Sequence, residues 1–232
     1  MQYLTIKTRH KTDKKSAMVV RKTRKFGDVI DTRHIHTKKS VMIVGDHASG
    51  KSYWLQRLHK DAEKIWSARK NPPVFLSATR PLSSWSDGKH FETWWALRDM
   101  PEESRHWTKL KTYERQDHLQ NYLRETKSVL FIDDAHKMTG SKMKVAQSCL
   151  RASQIFVLTT ADEGRISPSF RKDIISPDVQ IFRLDSEVAY DATSVMMWIF
   201  ILVAAGFGAY EVAAVLGGLK ALSGGRRASK QD

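Results

Sequence analysis

The sequence has very little cysteine: Cys149 is the single one in 232 residues. One thiol cannot form an internal disulfide, so the chain must rely on a packed core and suits a reducing compartment. No set of Cys and His residues has metal-site spacing, since His34 and His36 have no partner pair further along. The first charged residues are followed by no apolar stretch, so we expect no signal peptide. These absences exclude a disulfide-stapled secreted domain and a zinc module.

Acidic residues are outnumbered by basic ones, 25 against 39, which gives a formal net charge of +14. Such an excess favours an anionic partner, either nucleic acid or an anionic membrane surface. Residues 1–40 are basic and alternate apolar with polar positions, which predicts a small antiparallel β-ribbon. The cations of this ribbon between positions 7 and 25 are Lys7, Arg9, Lys11, Lys14, Lys15, Arg21, Lys22, Arg24 and Lys25. They form either a solvated edge that prevents strand aggregation or a contact for phosphate or lipid headgroups, and the sequence leaves both open.

A glycine-rich segment follows the apolar run Val41–Val44. Four of its positions match the phosphate-loop pattern G-x-x-x-x-G-K-[ST], in which glycines turn backbone N–H groups toward phosphate oxygens. The loop expected to hold the nucleotide comprises Gly45, Asp46, His47, Ala48, Ser49, Gly50, Lys51 and Ser52. Lys51 would reach the β- and γ-phosphates, and the Ser52 hydroxyl would ligate Mg²⁺. The sequence contains no Asn-Lys-x-Asp guanine-reading motif, which favours ATP over GTP.

A second chemical element lies at residues 128–136, where a buried strand ends in two acidic residues. Ligands bind at the carboxyl ends of strands in open α/β sheets, so the acid pair is expected beside the phosphate loop. Asp133 would ligate Mg²⁺ together with Ser52. Asp134 would orient or deprotonate the attacking water.

Apolar runs predict further buried strands at residues 74–78, 154–160 and 179–184, separated by helical patterns over 53–69 and 141–151. Residues 81–127 are interpreted as mostly helical, with their tryptophans used for packing. The fold class predicted is α/β: a three-layer P-loop NTPase sandwich with a five-stranded, mostly parallel sheet. The N-terminal basic ribbon precedes it, and a C-terminal transmembrane helix follows. We therefore divide the chain into 1–40, an ATPase domain over 41–190, a membrane segment and a basic tail.

Over residues 41–184 the order of parts resembles the additional-strand P-loop ATPases, and more narrowly the AAA+ group. The resemblance implies that Asp134 stands where these proteins usually carry a catalytic Glu, one methylene longer. It implies that Thr159 or Thr160 is the polar sensor at the end of the next strand, and of the two we favour Thr160. It also implies that Arg165 or Arg171 is an arginine finger that acts on a neighbouring subunit. The helical lid domain of the group is missing, because the chain becomes apolar instead.

The apolar C-terminal run, Val195–Leu219, contains one ionisable residue, Glu211. As a helix it would extend about 37 Å at roughly 1.5 Å per residue, more than the ~30 Å of a bilayer core. We therefore predict a transmembrane or membrane-inserted helix over 193–219 and a basic tail over 220–232. Small residues recur at every fourth position, a pattern that lets helices approach closely: Ala205, Ala209, Ala213 and Gly217.

The flanks of this run leave two topologies open. A single span would export the basic tail, against the positive-inside tendency, whereas a bend at Gly206-Phe207-Gly208 would return both ends to the cytoplasm. We favour a single span in the inner cell membrane, with the ATPase domain in the cytoplasm where nucleotide is available.

Together these features predict a membrane-anchored, homo-oligomeric ATPase that handles DNA, with ATP and Mg²⁺ as cofactors. Conjugation, phage assembly and packaging are processes of this type, and membrane lipid and other membrane assembly proteins are further expected partners. One alternative is an ATPase for protein secretion or virion morphogenesis. A second is a nucleotide-gated membrane scaffold with little turnover.

Overall fold

The computed structural model describes residues 3–8, 16–22, 29–46, 49–67, 69, 71–98, 105–175, 178–184, 192–208, 211 and 216. The chain divides into two compact units, residues 1–186 and 187–232. The strands are β1 (Tyr3–Thr8), β2 (Ser16–Lys22), β3 (Val29–His36), β4 (Ser40–Gly45), β5 (Val74–Ser77), β6 (Leu130–Asp133), β7 (Phe156–Thr160) and β8 (Val179–Leu184). The α-helices are α1 (Lys51–Lys60), α2 (Ala62–Ile65), α3 (Lys89–Ala96), α4 (Thr112–Thr126), α5 (Gly140–Ala152), α6 (Pro168–Ile175) and α7 (Ala192–Gly206).

The larger unit is built around a five-stranded sheet with the strand order β5-β6-β7-β4-β8. All four neighbouring pairs are parallel, so the sheet is wholly rather than mostly parallel. Strand β7 lies between the strand that precedes the phosphate loop and the strand that carries the acid pair. A strand inserted at this place is what the resemblance to the additional-strand ATPases implies. The α/β class and the five-stranded sheet are therefore confirmed, and this strand order fits a P-loop NTPase.

The sheet has an apolar core on each face, which makes the unit a three-layer sandwich. Along β4, Met42 and Val44 belong to one cluster of buried side chains, whereas Val41 and Ile43 belong to the other. This alternation follows from the two-residue period of a strand, and burial on both faces requires the nearly continuous apolar runs seen in the sequence.

The N-terminal strands form a separate antiparallel sheet in the order β1-β2-β3. Its residues Ala17, Val19 and Ile35 are buried in the same core cluster as helix α1. The side-chain amide of Gln180, on β8, accepts from the His36 N–H at 3.2 Å and donates to the His34 carbonyl at 2.6 Å. The basic ribbon is thus packed on the nucleotide-binding unit. Of its predicted contact residues, Arg9, Lys11, Lys14, Lys15, Arg24 and Lys25 lie outside the described residues.

The long connection between β5 and β6 adds aromatic side chains to the core on one face of the sheet. Trp85, Trp95 and Trp107 are buried, as the packing interpretation predicted. Phe91 stacks on Trp107 with ring centroids 5.7 Å apart, and Tyr122 meets the edge of Phe91 at 4.8 Å. Helices α3 and α4 are shorter than the mostly helical segment expected, because short 3₁₀ turns at Leu82–Ser86 and Trp107–Lys109 replace part of it.

The continuous helix predicted over residues 53–69 is wrong in two respects, because it breaks at Asp61 into α1 and α2 and because α2 ends at Ile65. The Asp61 carboxylate pairs with Arg57 at 3.2 Å and with Lys64 at 3.1 Å. The apolar face predicted for this segment is nevertheless continuous and buried: Leu55, Leu58, Ala62, Ile65 and Trp66.

The smaller unit contributes helix α7, which has 15 residues. Among the residues that the structure describes, no helix is both long enough and apolar enough to cross a membrane. The described residues therefore do not support the predicted transmembrane helix. Most of the predicted segment beyond Gly208 lies outside the described residues.

Candidate nucleotide-binding site

The two glycines of the phosphate loop are required for different physical reasons. A Cβ at Gly45 would lie 2.5 Å from the Leu184 carbonyl oxygen, so no side chain fits there. Gly50 has open space around it, but its φ of 83° is in the left-handed region that glycine adopts without cost. Ser49 N–H donates to the Asp46 carbonyl at 3.2 Å, which closes the turn. His47 and Ala48 lie outside the described residues.

Helix α1 begins at Lys51, directly after this loop, so its unpaired N–H groups and positive dipole end lie at the loop. No acidic residue occupies its first turn. Lys51 is 7% exposed, and its Nζ donates to the Asp46 carbonyl at 2.6 Å. Burial lowers the pKa of Lys51, and the Asp134 carboxylate opposes this shift more than any other charge does, ahead of Asp46. The negative charge of Asp134 therefore acts on the lysine that would bind the phosphates.

The acid strand is joined to the phosphate loop by one carboxylate oxygen. Asp133 Oδ1 accepts from the Ser52 hydroxyl at 3.1 Å and from the Thr159 hydroxyl at 2.7 Å. Asp133 is buried at the carboxyl end of β6, in register with Ser77 on β5. The three side chains come from α1, β6 and β7 and meet at the carboxyl edge of the sheet.

A hydroxyl and a carboxylate are the hard oxygen ligands that Mg²⁺ prefers, so Ser52 and Asp133 fit this cation. Within the described ranges, no group of three or more His, Cys, Asp or Glu could hold a metal ion. A cation bound at this pair would therefore complete its shell with phosphate oxygens and water, as Mg²⁺ does with nucleotides.

Asp134 occupies a sharp turn at the end of β6, with a φ of 56°. Its N–H donates to the Thr159 hydroxyl oxygen at 2.9 Å, and its carbonyl accepts from the Lys137 N–H at 2.8 Å. Its carboxylate pairs with the Lys137 ammonium at 2.6 Å. The backbone and the side chain of Asp134 are thus each held by named partners.

A second hydrogen bond ties the turn after the acid pair to β7. The Ala161 N–H donates to His136 Nδ1 at 3.2 Å, which requires that nitrogen to be unprotonated. Burial lowers the pKa of His136, and Asp134 opposes the shift while Lys137, Lys51 and Arg165 reinforce it.

The remaining predicted residues lie at the end of β7 and beyond it: Thr160 is the last residue of β7, Arg165 lies on the 3₁₀ turn Glu163–Arg165, and Arg171 lies on α6. Thr160 Oγ1 donates to the Asp162 carbonyl at 2.9 Å, so this hydroxyl is used to shape the loop. Arg171 Nε donates to the Glu163 carbonyl at 3.1 Å. Arg165 is exposed and has no ion pair among the described residues. The structure therefore brings Thr159, and not Thr160, to Asp133.

Two residues of the site went unrecognised in the sequence: His136 and Lys137. The signal was present in the run Asp-Asp-Ala-His-Lys, because a lysine three residues after an aspartate can reach it around one helical turn. Such a pair is common on protein surfaces, so only the turn geometry distinguishes this one.

No protein-family model and no curated protein matches the sequence. Among solved structures, the chain is similar to a DNA replication initiation factor, with 14% identity, 71% of this chain and 44% of that chain covered, and a TM-score of 0.36. It is similar to Cdc6p from Pyrobaculum aerophilum, with 15% identity, 62% and 38% covered, and a TM-score of 0.33. It is also similar to the genome packaging NTPase B204 from Sulfolobus turreted icosahedral virus 2, with 13% identity, 78% of this chain and 88% of that chain covered, and a TM-score of 0.35.

The chain spans less than half the length of the first two of these proteins. All three TM-scores are below 0.5, so the fold assignment rests on the strand order and the phosphate loop instead.

Proposed function

We propose that this protein binds ATP with Mg²⁺ and hydrolyses it. The observation that carries the proposal is the convergence of Ser52 and Thr159 on one oxygen of Asp133, beside the buried Lys51. A glycine turn, a helix N-terminus, a lysine, a hydroxyl and a carboxylate are together the parts that hold a triphosphate and its cation.

Each residue would contribute by placing charge where the reaction needs it. Lys51 leaves the Asp46 carbonyl for phosphate oxygens, because a triphosphate is the stronger acceptor. Mg²⁺ held by Ser52 and Asp133 would neutralise charge on the β- and γ-phosphates. Asp134 accepts a hydrogen bond from the attacking water and orients it toward the γ-phosphate.

The proposal extends to a homo-oligomer of the AAA+ kind, in which Arg165 acts on the nucleotide of a neighbouring subunit. Arg165 is exposed on the short 3₁₀ turn Glu163–Arg165, whereas Arg171 is half-buried and bonded to the Glu163 carbonyl. An arginine that reaches across an interface must be unengaged within its own chain, which favours Arg165. Neutralising the growing charge on the transferred phosphoryl group is the chemistry it would supply.

DNA is the substrate class that the charge favours, since the chain carries a formal net charge of +14. The basic ribbon is packed against the nucleotide-binding unit through Ala17, Val19 and Ile35. Binding of DNA to the ribbon could therefore be sensed by the ATPase core without a flexible linker. We extend the proposal to a DNA-handling process at the inner membrane, with nucleotide bound on the cytoplasmic side.

Membrane attachment is the part of the proposal that belongs to the C-terminal unit. Helix α7 exposes the large apolar side chains of Trp198, Phe200 and Leu202. Flotation of the full-length protein with phospholipid vesicles tests this: the protein should rise with the vesicles, and a Trp198→Ser/Phe200→Ser/Leu202→Ser variant should rise less. A wild-type protein that stays at the bottom of the gradient would remove the membrane from the account.

ATP turnover with and without DNA tests the proposal as a whole. Turnover that rises with DNA supports a DNA-handling ATPase, and basal turnover that DNA leaves unchanged supports an ATPase for protein secretion or assembly. Tight nucleotide binding without turnover under either condition supports a nucleotide-gated scaffold.

A further inference from the structure

The geometry points to Lys137 as a positioning residue for hydrolysis: its ammonium holds the Asp134 carboxylate in place beside the triphosphate. This inference rests on the proposed ATPase function and adds a residue to its machinery.

The backbone of Asp134 is already fixed at both ends, so only its side chain is left to be positioned. Its N–H is bonded to Thr159 Oγ1, its carbonyl accepts from the Lys137 N–H, and its φ of 56° allows little variation. The Lys137 ammonium lies 2.6 Å from Asp134 Oδ2. That contact occupies one carboxylate oxygen and leaves Oδ1 to accept from a water.

The exposure of the two partners differs in a way that suits this role. The Asp134 side chain is 13% exposed, whereas that of Lys137 is 50% exposed. An ion pair with one partner in water contributes little to the stability of a fold. We therefore assign to the pair the role of fixing the position of the partly buried Asp134 carboxylate, rather than that of stabilising the fold.

When a triphosphate occupies the loop, a cation beside the Asp134 carboxylate is needed to neutralise its charge. The charge of Asp134 also interacts with that of Lys51, which would move to phosphate oxygens when nucleotide binds. Without Lys137, Asp134 would then be an unpaired anion next to the negatively charged triphosphate. Electrostatic repulsion would rotate its carboxylate away from the attacking water. Lys137 cancels this repulsion. The 2.6 Å contact with Asp134 Oδ2 places the charge of Lys137 at the carboxylate that must be neutralised.

The test compares Lys137→Gln with a matched control, Lys64→Gln, in the full-length protein. Lys64 pairs with Asp61 at 3.1 Å, also three residues apart and with a buried aspartate, but on helix α2. Lys137→Gln should lower kcat for ATP about tenfold or more, since misplacing a reacting group costs that much, with KM and nucleotide affinity within about twofold. Lys137→Arg should recover most of kcat, and Lys64→Gln should match the wild type.

Action through Asp134 is tested by the Asp134→Asn/Lys137→Gln double variant. Once the carboxylate is gone, Lys137 has nothing to position, so the double variant should be no slower than Asp134→Asn alone. Multiplied defects, or a kcat for Lys137→Gln equal to or above that of an active wild type, would overturn the inference while leaving the ATPase function intact. A wild type that binds ATP without any turnover would overturn both.

Discussion

The hydroxyl of Thr159 joins the two acidic residues of the site, because it donates to Asp133 Oδ1 at 2.7 Å and accepts from the Asp134 N–H at 2.9 Å. One buried side chain on β7 therefore positions both the carboxylate that would hold the cation and the turn that carries Asp134, which is proposed to orient the attacking water. Substitution of Thr159 should therefore impair ATP turnover even where the protein still folds.

Thr159→Val should lower ATP turnover about tenfold or more, because it removes both a donor to Asp133 and an acceptor for the Asp134 N–H. Leaving such a group unsatisfied also costs about 1–3 kcal/mol of stability. Thr159→Ser keeps the hydroxyl and should keep most of the turnover. Thr160→Val is the matched comparison, since that hydroxyl is bonded to the Asp162 carbonyl and its removal should change stability but not kcat. Equal kinetic defects at 159 and 160 would contradict this assignment.

Arg165→Ala should lower turnover while nucleotide affinity stays near the wild-type value. If Arg165 acts on a neighbour, mixing Arg165→Ala subunits with Lys51→Ala subunits should restore part of the turnover. The Arg165→Ala subunit supplies an intact phosphate loop, and the Lys51→Ala subunit supplies the arginine that acts on it. Arg171→Ala should instead lower the melting temperature, because it removes the bond to the Glu163 carbonyl. Failure of the mixture to recover any turnover, with both proteins folded, would place Arg165 outside the neighbour's site.

DNA binding should depend on salt and on the basic ribbon. Replacing Lys7, Lys22 and Lys25 by Gln should weaken DNA binding and reduce the slope of log K against log salt by about 0.9 for each phosphate that is no longer neutralised. Fluorescence anisotropy with a labelled duplex at several salt concentrations measures both quantities. An affinity and a slope that match the wild type would show that the ribbon is only a solvated edge.

Acid should destabilise the protein through four histidines whose pKa is lowered by burial: His59, His90, His118 and His136. In the unfolded chain these groups bind protons near pH 6.5, whereas in the folded chain they do so only at lower pH. The unfolded state thus binds more protons between the two values. Stability is complete above about pH 6.5 and falls as the pH drops toward the folded-state values.

Urea midpoints at about pH 7.5, 6.5 and 5.5 measure this effect. His59→Phe should flatten the dependence, because the His59 ring meets the Phe75 and Phe131 rings edge-on at 5.1 Å each and a phenyl ring can take its place without titrating. A midpoint that stays constant or rises on acidification would contradict the expected sign.

The parts of the site that lie close together in the chain could be predicted from the sequence. The phosphate loop is recognisable because steric contact at Gly45 and backbone conformation at Gly50 each exclude other residues, so the pattern is strict. The acid strand is recognisable because a strand buried on both faces must be apolar until it reaches the edge where Asp133 lies. Both features follow from local constraints.

The parts that depend on distant segments could not be predicted. Whether Thr159 or Thr160 faces Asp133 depends on the register between β6 and β7, which pairs Ile132 with Leu158 and is set by packing. The pairing of Asp134 with Lys137 depends on a left-handed conformation at Asp134, which aspartate adopts more often than most residues but still too rarely to be predicted from the sequence. The helix break at Asp61 could not be recognised because the buried face continues through it.

The most direct test of the central claim is Mg²⁺-dependent ATP turnover and nucleotide binding by the full-length wild type, Lys51→Ala and Asp134→Asn. The account predicts turnover and binding in the wild type, loss of both in Lys51→Ala, and binding with strongly reduced but measurable turnover in Asp134→Asn. Nucleotide binding that survives in Lys51→Ala, or full turnover in Asp134→Asn, would contradict it.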